Sequence, residues 1–131
     1  MNYFINEGNK IGYLPTEFGA TGQIVEKYLK AGADITKGQV VVISDSYTVI
    51  PAAGNSDFVL GVAMFDAKNG DPVAVETEGL FTLTASAIIT APAALSSDAA
   101  GTVVTATTGK VIGVAISDAI LGGPVVVKFS I

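Results

Sequence analysis

Apolar residues recur along this chain in short runs of period two, interrupted about every eight to twelve residues by Gly, Pro, Asp and Ser. The stretch Val59 to Val75, VLGVAMFDAKNGDPVAV, reads as a buried strand, a turn opened by Asp66 and closed by Gly70 and Pro72, and a second strand of alternating valines. Nearly the same words return at Val111 to Val127, VIGVAISDAILGGPVVV. At a constant spacing of 52 residues, Val59, Gly61, Val62, Ala63, Asp66, Ala67, Gly70, Pro72, Val73 and Val75 recur as Val111, Gly113, Val114, Ala115, Asp118, Ala119, Gly122, Pro124, Val125 and Val127. Ten identities in seventeen positions make this an internal repeat, and the rest of the chain can be placed against it.

Upstream, GLFTLTA at 79–85 alternates Leu and Phe with Thr, the pattern of a half-buried strand. QIVEKYLKAG at 23–32 has Ile24, Val25, Tyr28 and Leu29 at helical spacing, with Gly32 as a C-cap. A shift of 54, however, lays Tyr28 to Ala31 on Thr82 to Ala85, so equivalence of the copies makes residues 24–30 a strand too. The same shift lays Ala33 to Gly38 on Ala87 to Pro92, each a turn with one buried Ile. QVVVIS, DSYTVIPAA and the Val59 strand complete the first copy. AALSS, DAAGTVVTATTGK and the Val111 strand complete the second, which is two residues shorter through its middle. No segment holds a helix of three turns. The expected fold is all-β, a small barrel or sandwich built from two repeats of about fifty residues (24–78 and 79–131) within one β domain, 23–131. One closed barrel and two small lobes bury alternating valines equally well, so both arrangements stay open.

Residues 1–22, MNYFINEGNKIGYLPTEFGATG, lie outside the repeat and form an N-terminal arm broken by glycines. Its aromatic and aliphatic residues allow two readings: strands packed on the domain, or an extended arm whose Tyr3, Phe4, Ile5, Tyr13, Leu14 and Phe18 anchor on a partner while the backbone adds to a sheet edge.

Composition narrows the chemistry. Seven lysines, no arginine and twelve carboxylates give a net charge of −5 with no basic cluster, which argues against a nucleic-acid partner. No apolar run reaches the length of a membrane span, and MNYFINEGNK has neither the basic head nor the apolar centre of a signal peptide; the expectation is synthesis in the cytoplasm and no membrane partner. With no His and no Cys, the commonest general base, the commonest metal ligand and every thiolate site are missing. Asp66 and Asp118 recur in both copies and invite a calcium reading, but no second carboxylate recurs with them, and an Asp that opens a turn commonly bonds its own backbone two residues on. Glu76 and Glu78 share one strand face as a solvated edge. Lys37 and Lys110, each beside Gly, keep sheet edges soluble. The glycines of the arm are not followed by GK[ST], so no phosphate loop is present, and the Ser and Thr residues of the second copy have no candidate base. No enzyme activity, metal or cofactor is expected.

Taken together, AGADITKGQVVVISDSYTVIPA, FVLGVAMFDAKNGDPVAVETEG and GLFTLTASAIITAPAALSSDAAGTVVTATTGKVIGVAISDAILGGPVVVKFSI resemble the capsid decoration, or cement, proteins of tailed bacteriophages, over residues 24–131. Pro92 departs from that family's usual Gly. The resemblance implies a small all-β structural protein, without cofactor, that assembles as a homotrimer. It implies binding to the major capsid protein on the outer surface of the mature head, at three-fold and quasi-three-fold positions, where it clamps the shell. The competing class is a carbohydrate- or surface-binding β module of a virion fibre or cell-surface layer; the absence of Trp, and the placing of two of the four Tyr in the arm, weigh against it.

Overall fold

The computed structural model describes residues 29–54, 56–107 and 110–130, so the arm, residue 23 and residues 24–28 of the first expected strand lie outside the described residues. Among the described residues the regular elements are ten β-strands and one 3₁₀ turn, Ala99–Gly101, joined by turns and loops. The first copy forms β1 (Lys30–Ala31), β2 (Val40–Asp45), β3 (Thr48–Pro51), β4 (Val59–Ala63) and β5 (Val75–Glu76). The second forms β6 (Gly79–Thr84), β7 (Ala93–Asp98), β8 (Thr102–Thr105), β9 (Gly113–Ala115) and β10 (Pro124–Phe129). Each set makes its own five-stranded sheet, in the orders β1-β3-β2-β4-β5 and β6-β10-β9-β7-β8. A bridge between Lys30 and Pro72 ties the edges of the first sheet, and one between Ala85 and Val103 ties those of the second. Each sheet therefore rolls up, in the same cyclic order. The arrangement is two lobes, not one barrel.

Backbone bonds recur between the lobes at matching positions. The Gly32 N–H donates to the Val49 carbonyl (2.8 Å) as Ser86 does to Val103 (2.9 Å), Ala52 to Val40 (2.8 Å) as Ala106 to Ala94 (2.8 Å), and Met64 to Ala74 (2.9 Å) as Ile116 to Val126 (2.8 Å). The spacing falls from 54 to 52 across the loop before β4 and β9, where the second copy is two residues shorter. The repeated glycine has a shared cause: a Cβ at Gly61 would overlap the Glu76 carbonyl, and one at Gly113 would stand 2.6 Å from the Lys128 carbonyl. The strands also differ in length. β10 runs for six residues between β6 and β9, with Val125, Val127 and Phe129 buried, whereas β5 is two residues long and pairs with β4 alone among the described residues.

Inside the first lobe, Ala31, Ile35, Val41, Val49, Ala63 and Ala67 form a small core. The larger core belongs to the second lobe and extends across the junction to Val40, Ala52, Val59 and Val62 of the first. The middle of the first sheet is thus buried on both faces, Val41 toward its own lobe and Val40 toward the other. Burying a valine such as Val40 or Val62 at the junction stabilises it by roughly 1.5–3 kcal/mol before entropy is counted. Polar ties hold the register: the Gly101 N–H donates to Ala52 O (3.0 Å), the Gln39 side-chain amide to Ala100 O (3.0 Å), and the buried Ser97 hydroxyl donates to Ala53 O (3.1 Å) while accepting from the Ser56 N–H (3.1 Å).

Candidate functional site

Two equivalent turn ends dominate the polar geometry. In the first lobe, turns 32–39 and 64–71 are laced by paired bonds between Ile35 and Ala67 (2.7 and 2.9 Å), and Asp66 Oδ1 accepts from the Lys37 N–H at 2.8 Å. In the second lobe Ile89 and Ala119 exchange the same pair (both 2.9 Å), and Asp118 Oδ1 accepts from the Ala91 N–H at 2.8 Å. The repeated aspartates are therefore structural, but not in the way a local turn rule predicts. Each ties down a different turn, far away in sequence, rather than its own backbone two residues on. Ile35 and Ile89 are buried beneath these ties, as the pattern predicts. Among the described residues, no group of three or more Asp or Glu side chains comes together to hold a metal ion.

The remaining candidates stand apart. Glu76, Glu78 and Lys37 are exposed, and Lys110 is half-buried. Asp98 caps the 3₁₀ turn. Its Oδ2 accepts from the Ser86 hydroxyl at 2.6 Å and its Oδ1 from the Ala99 N–H at 2.8 Å, and these two bonds, the first more than the second, hold its carboxyl below the usual value against a smaller opposing effect of burial. This pair anchors the end of β6 to the β7–β8 turn. The proposed anchors Tyr3, Phe4, Ile5, Tyr13, Leu14 and Phe18 lie outside the described residues.

Instead, the structure presents surface. Among the described residues, the large apolar side chains that stand exposed are unevenly shared: Ile43, Tyr47, Phe58 and Phe65 in the first lobe, against Leu80, Ile88, Val111, Val114, Ile116, Ile120, Leu121 and Val126 in the second. Charge runs the other way. Residues 29–78 carry seven carboxylates and three lysines, residues 79–131 two of each. Composition had put no weight on Ile88, Ile120 and Leu121, because each sits in a turn. The available signal was the comparison of the two copies at positions where they differ.

A two-lobed all-β module with a packed lobe junction and exposed aliphatic side chains gathered on one lobe belongs to the class of structural binding modules. More narrowly, the chain belongs to the phage cement protein family, whose model matches residues 19–129. No curated protein matches it. Among solved structures, it is similar to the N base of the head fibre gp8.5 of bacteriophage phi29, with a TM-score of 0.66 and 21% identity over 79% of this chain and 92% of that one. At that identity the likeness speaks to the fold. The family places the chain among the structural proteins of the phage head.

Proposed function

We propose that this protein decorates the outer surface of the mature phage head, binding as a homotrimer where major capsid subunits meet at three-fold and quasi-three-fold positions, and that it stabilises the shell without any catalytic step. Membership of the cement family over residues 19–129 carries this reading. The fold shared with a phi29 head-fibre base and the acidic, solvated first lobe support it. The mechanism is avidity on a lattice. A trimer offers three copies of each weak contact, and linked contacts exceed a single one by about 10² to 10⁴ in affinity when the sites are correctly spaced. Unexpanded shells space them wrongly, so expansion switches binding on. A ligand that binds only the assembled shell then stabilises it by linkage. The arm, through Tyr3, Phe4, Ile5, Tyr13, Leu14 and Phe18, supplies one of the contacts.

Co-sedimentation with expanded, undecorated shells, with unexpanded proheads as control, tests the reading. Saturable binding to expanded shells alone is expected, as is a higher breakage temperature for decorated shells. Equal breakage temperatures would refute stabilisation, and a folded protein that bound neither particle would refute decoration. Deleting residues 2–18 is expected to leave a folded chain that no longer decorates; normal decoration by that variant would remove the arm from the contact.

A further inference from the structure

We propose that the turn end of the second lobe, where Ile88, Ile120 and Leu121 stand together, is a knob that inserts into an apolar depression of the capsid shell, with the acidic first lobe facing solvent. This rests on the decoration reading and assigns a contact on the folded body, beyond the arm.

The first lobe is an internal control. Its turn end has the same backbone ties, Ile35 with Ala67 and Lys37 with Asp66, that hold Ile89 with Ala119 and Ala91 with Asp118. Yet the positions matching Ile88, Ile120 and Leu121 are Asp34, Lys68 and Asn69. There Lys68 pairs with Asp34 at 3.9 Å, and the Asn69 N–H donates to Asp34 Oδ1 at 3.0 Å. The fold therefore tolerates polar residues at all three places. In the second lobe the same places hold aliphatic side chains exposed at 74%, 72% and 70%, too open to contribute much to the core. Ile88 and Ile120 are not scattered, and Leu121 follows Ile120 in the same turn. Ile88, Ile120 and Pro124 border one depression of about 470 Å³, while the matching one in the first lobe, about 340 Å³, is bordered by Asp34, Lys68 and Asp71. The carboxylate beside the apolar depression, Asp118, accepts from the Ala91 N–H through Oδ1.

Area decides the occupant. Three exposed aliphatic side chains offer on the order of a few hundred Å², short of the roughly 800 Å² per partner of a stable two-body complex. Two copies meeting through this knob alone would not hold together. A shell that engages several copies at once is free of that limit, because each knob adds to a joint affinity. Charge sets the orientation: the lobe with seven carboxylates to three lysines stays in water, and the balanced lobe loses the less solvation on entering the shell.

The test exchanges the copies. In the full chain, Ile88→Asp, Ile120→Lys and Leu121→Asn together install residues that the matching positions already carry. The variant is expected to keep the far-UV spectrum, melting temperature and sedimentation coefficient of the parent, and to bind expanded shells at least tenfold more weakly. Should the triple variant misfold, Ile120→Lys alone carries the same expectation. Parental affinity in a folded variant would overturn the proposal. So would a variant that loses self-association before shell binding, since the knob would then be a contact between copies. A parent chain that binds no shell at all overturns the decoration reading itself, an outcome separate from a loss confined to the variant.

Discussion

Gly101→Ala is the sharpest test of the lobe junction. Gly101 is buried at the β7–β8 turn with φ +70°, and a Cβ there would lie 2.7 Å from Gln39 Cβ, 2.9 Å from Val40 O and 3.0 Å from Val40 N, all in the first lobe. The left-handed backbone by itself is affordable: Tyr47, at the matching position of the first lobe, holds φ +52° with a partly exposed side chain. That conformational term costs about 1 kcal/mol. Forcing a methyl against another strand's backbone adds about 1–3 kcal/mol, because neither Val40 nor the sheet behind it can move aside cheaply. The expected destabilisation is therefore about 2–4 kcal/mol. Gly122→Ala supplies the reference. It has φ +76° and nothing within 4 Å of its Cβ position, so only the conformational term, about 1 kcal/mol, applies. Urea unfolding followed by far-UV circular dichroism and tyrosine fluorescence measures both variants, the chain having no Trp. If Gly101→Ala and Gly122→Ala agree within about 0.5 kcal/mol, the close junction of the lobes is refuted. A transition that splits in two for Gly101→Ala alone would instead show that the junction is what couples the lobes.

Phe129→Ala is expected to cost about 3–5 kcal/mol in the same assay, since Phe129 is fully buried and packs edge-on against Phe81 at 6.1 Å and 82°; a loss below about 1 kcal/mol would mean that this end of the second core is not closed. Asp98 predicts an acid limb. Its folded pKa is lowered, so its contribution is complete above the ordinary carboxylate value and is lost as pH falls through the lowered one. Between about pH 5 and about pH 3 the parent is expected to lose more stability than Asp98→Asn, and parallel pH profiles for the two would remove Asp98 from the account.

Much of the fold is legible in the chain because strand identity is local. Alternating valines mark β10, and the repeat exposes the two-residue shortening that the hydrogen bonds reproduce. The aspartates show where local reasoning stops. A turn rule sees only the neighbouring backbone, whereas Asp66 and Asp118 accept from N–H groups delivered by another turn. The docking knob was legible in principle, since the identities between the copies report the fold and their differences at exposed positions report what each lobe meets.

By itself the sequence determined the strands, the turns, the repeat and the absence of a histidine or cysteine site, since each depends on residues within a few positions or on composition alone. Only the tertiary structure decided which outer face is covered. Val62 and Val114 occupy the same register position in the two copies, yet Val62 is 2% exposed and Val114 45%. Their alternation patterns are alike, and what separates them is that the second lobe lies against one and not the other, a contact between parts of the chain that no local pattern encodes.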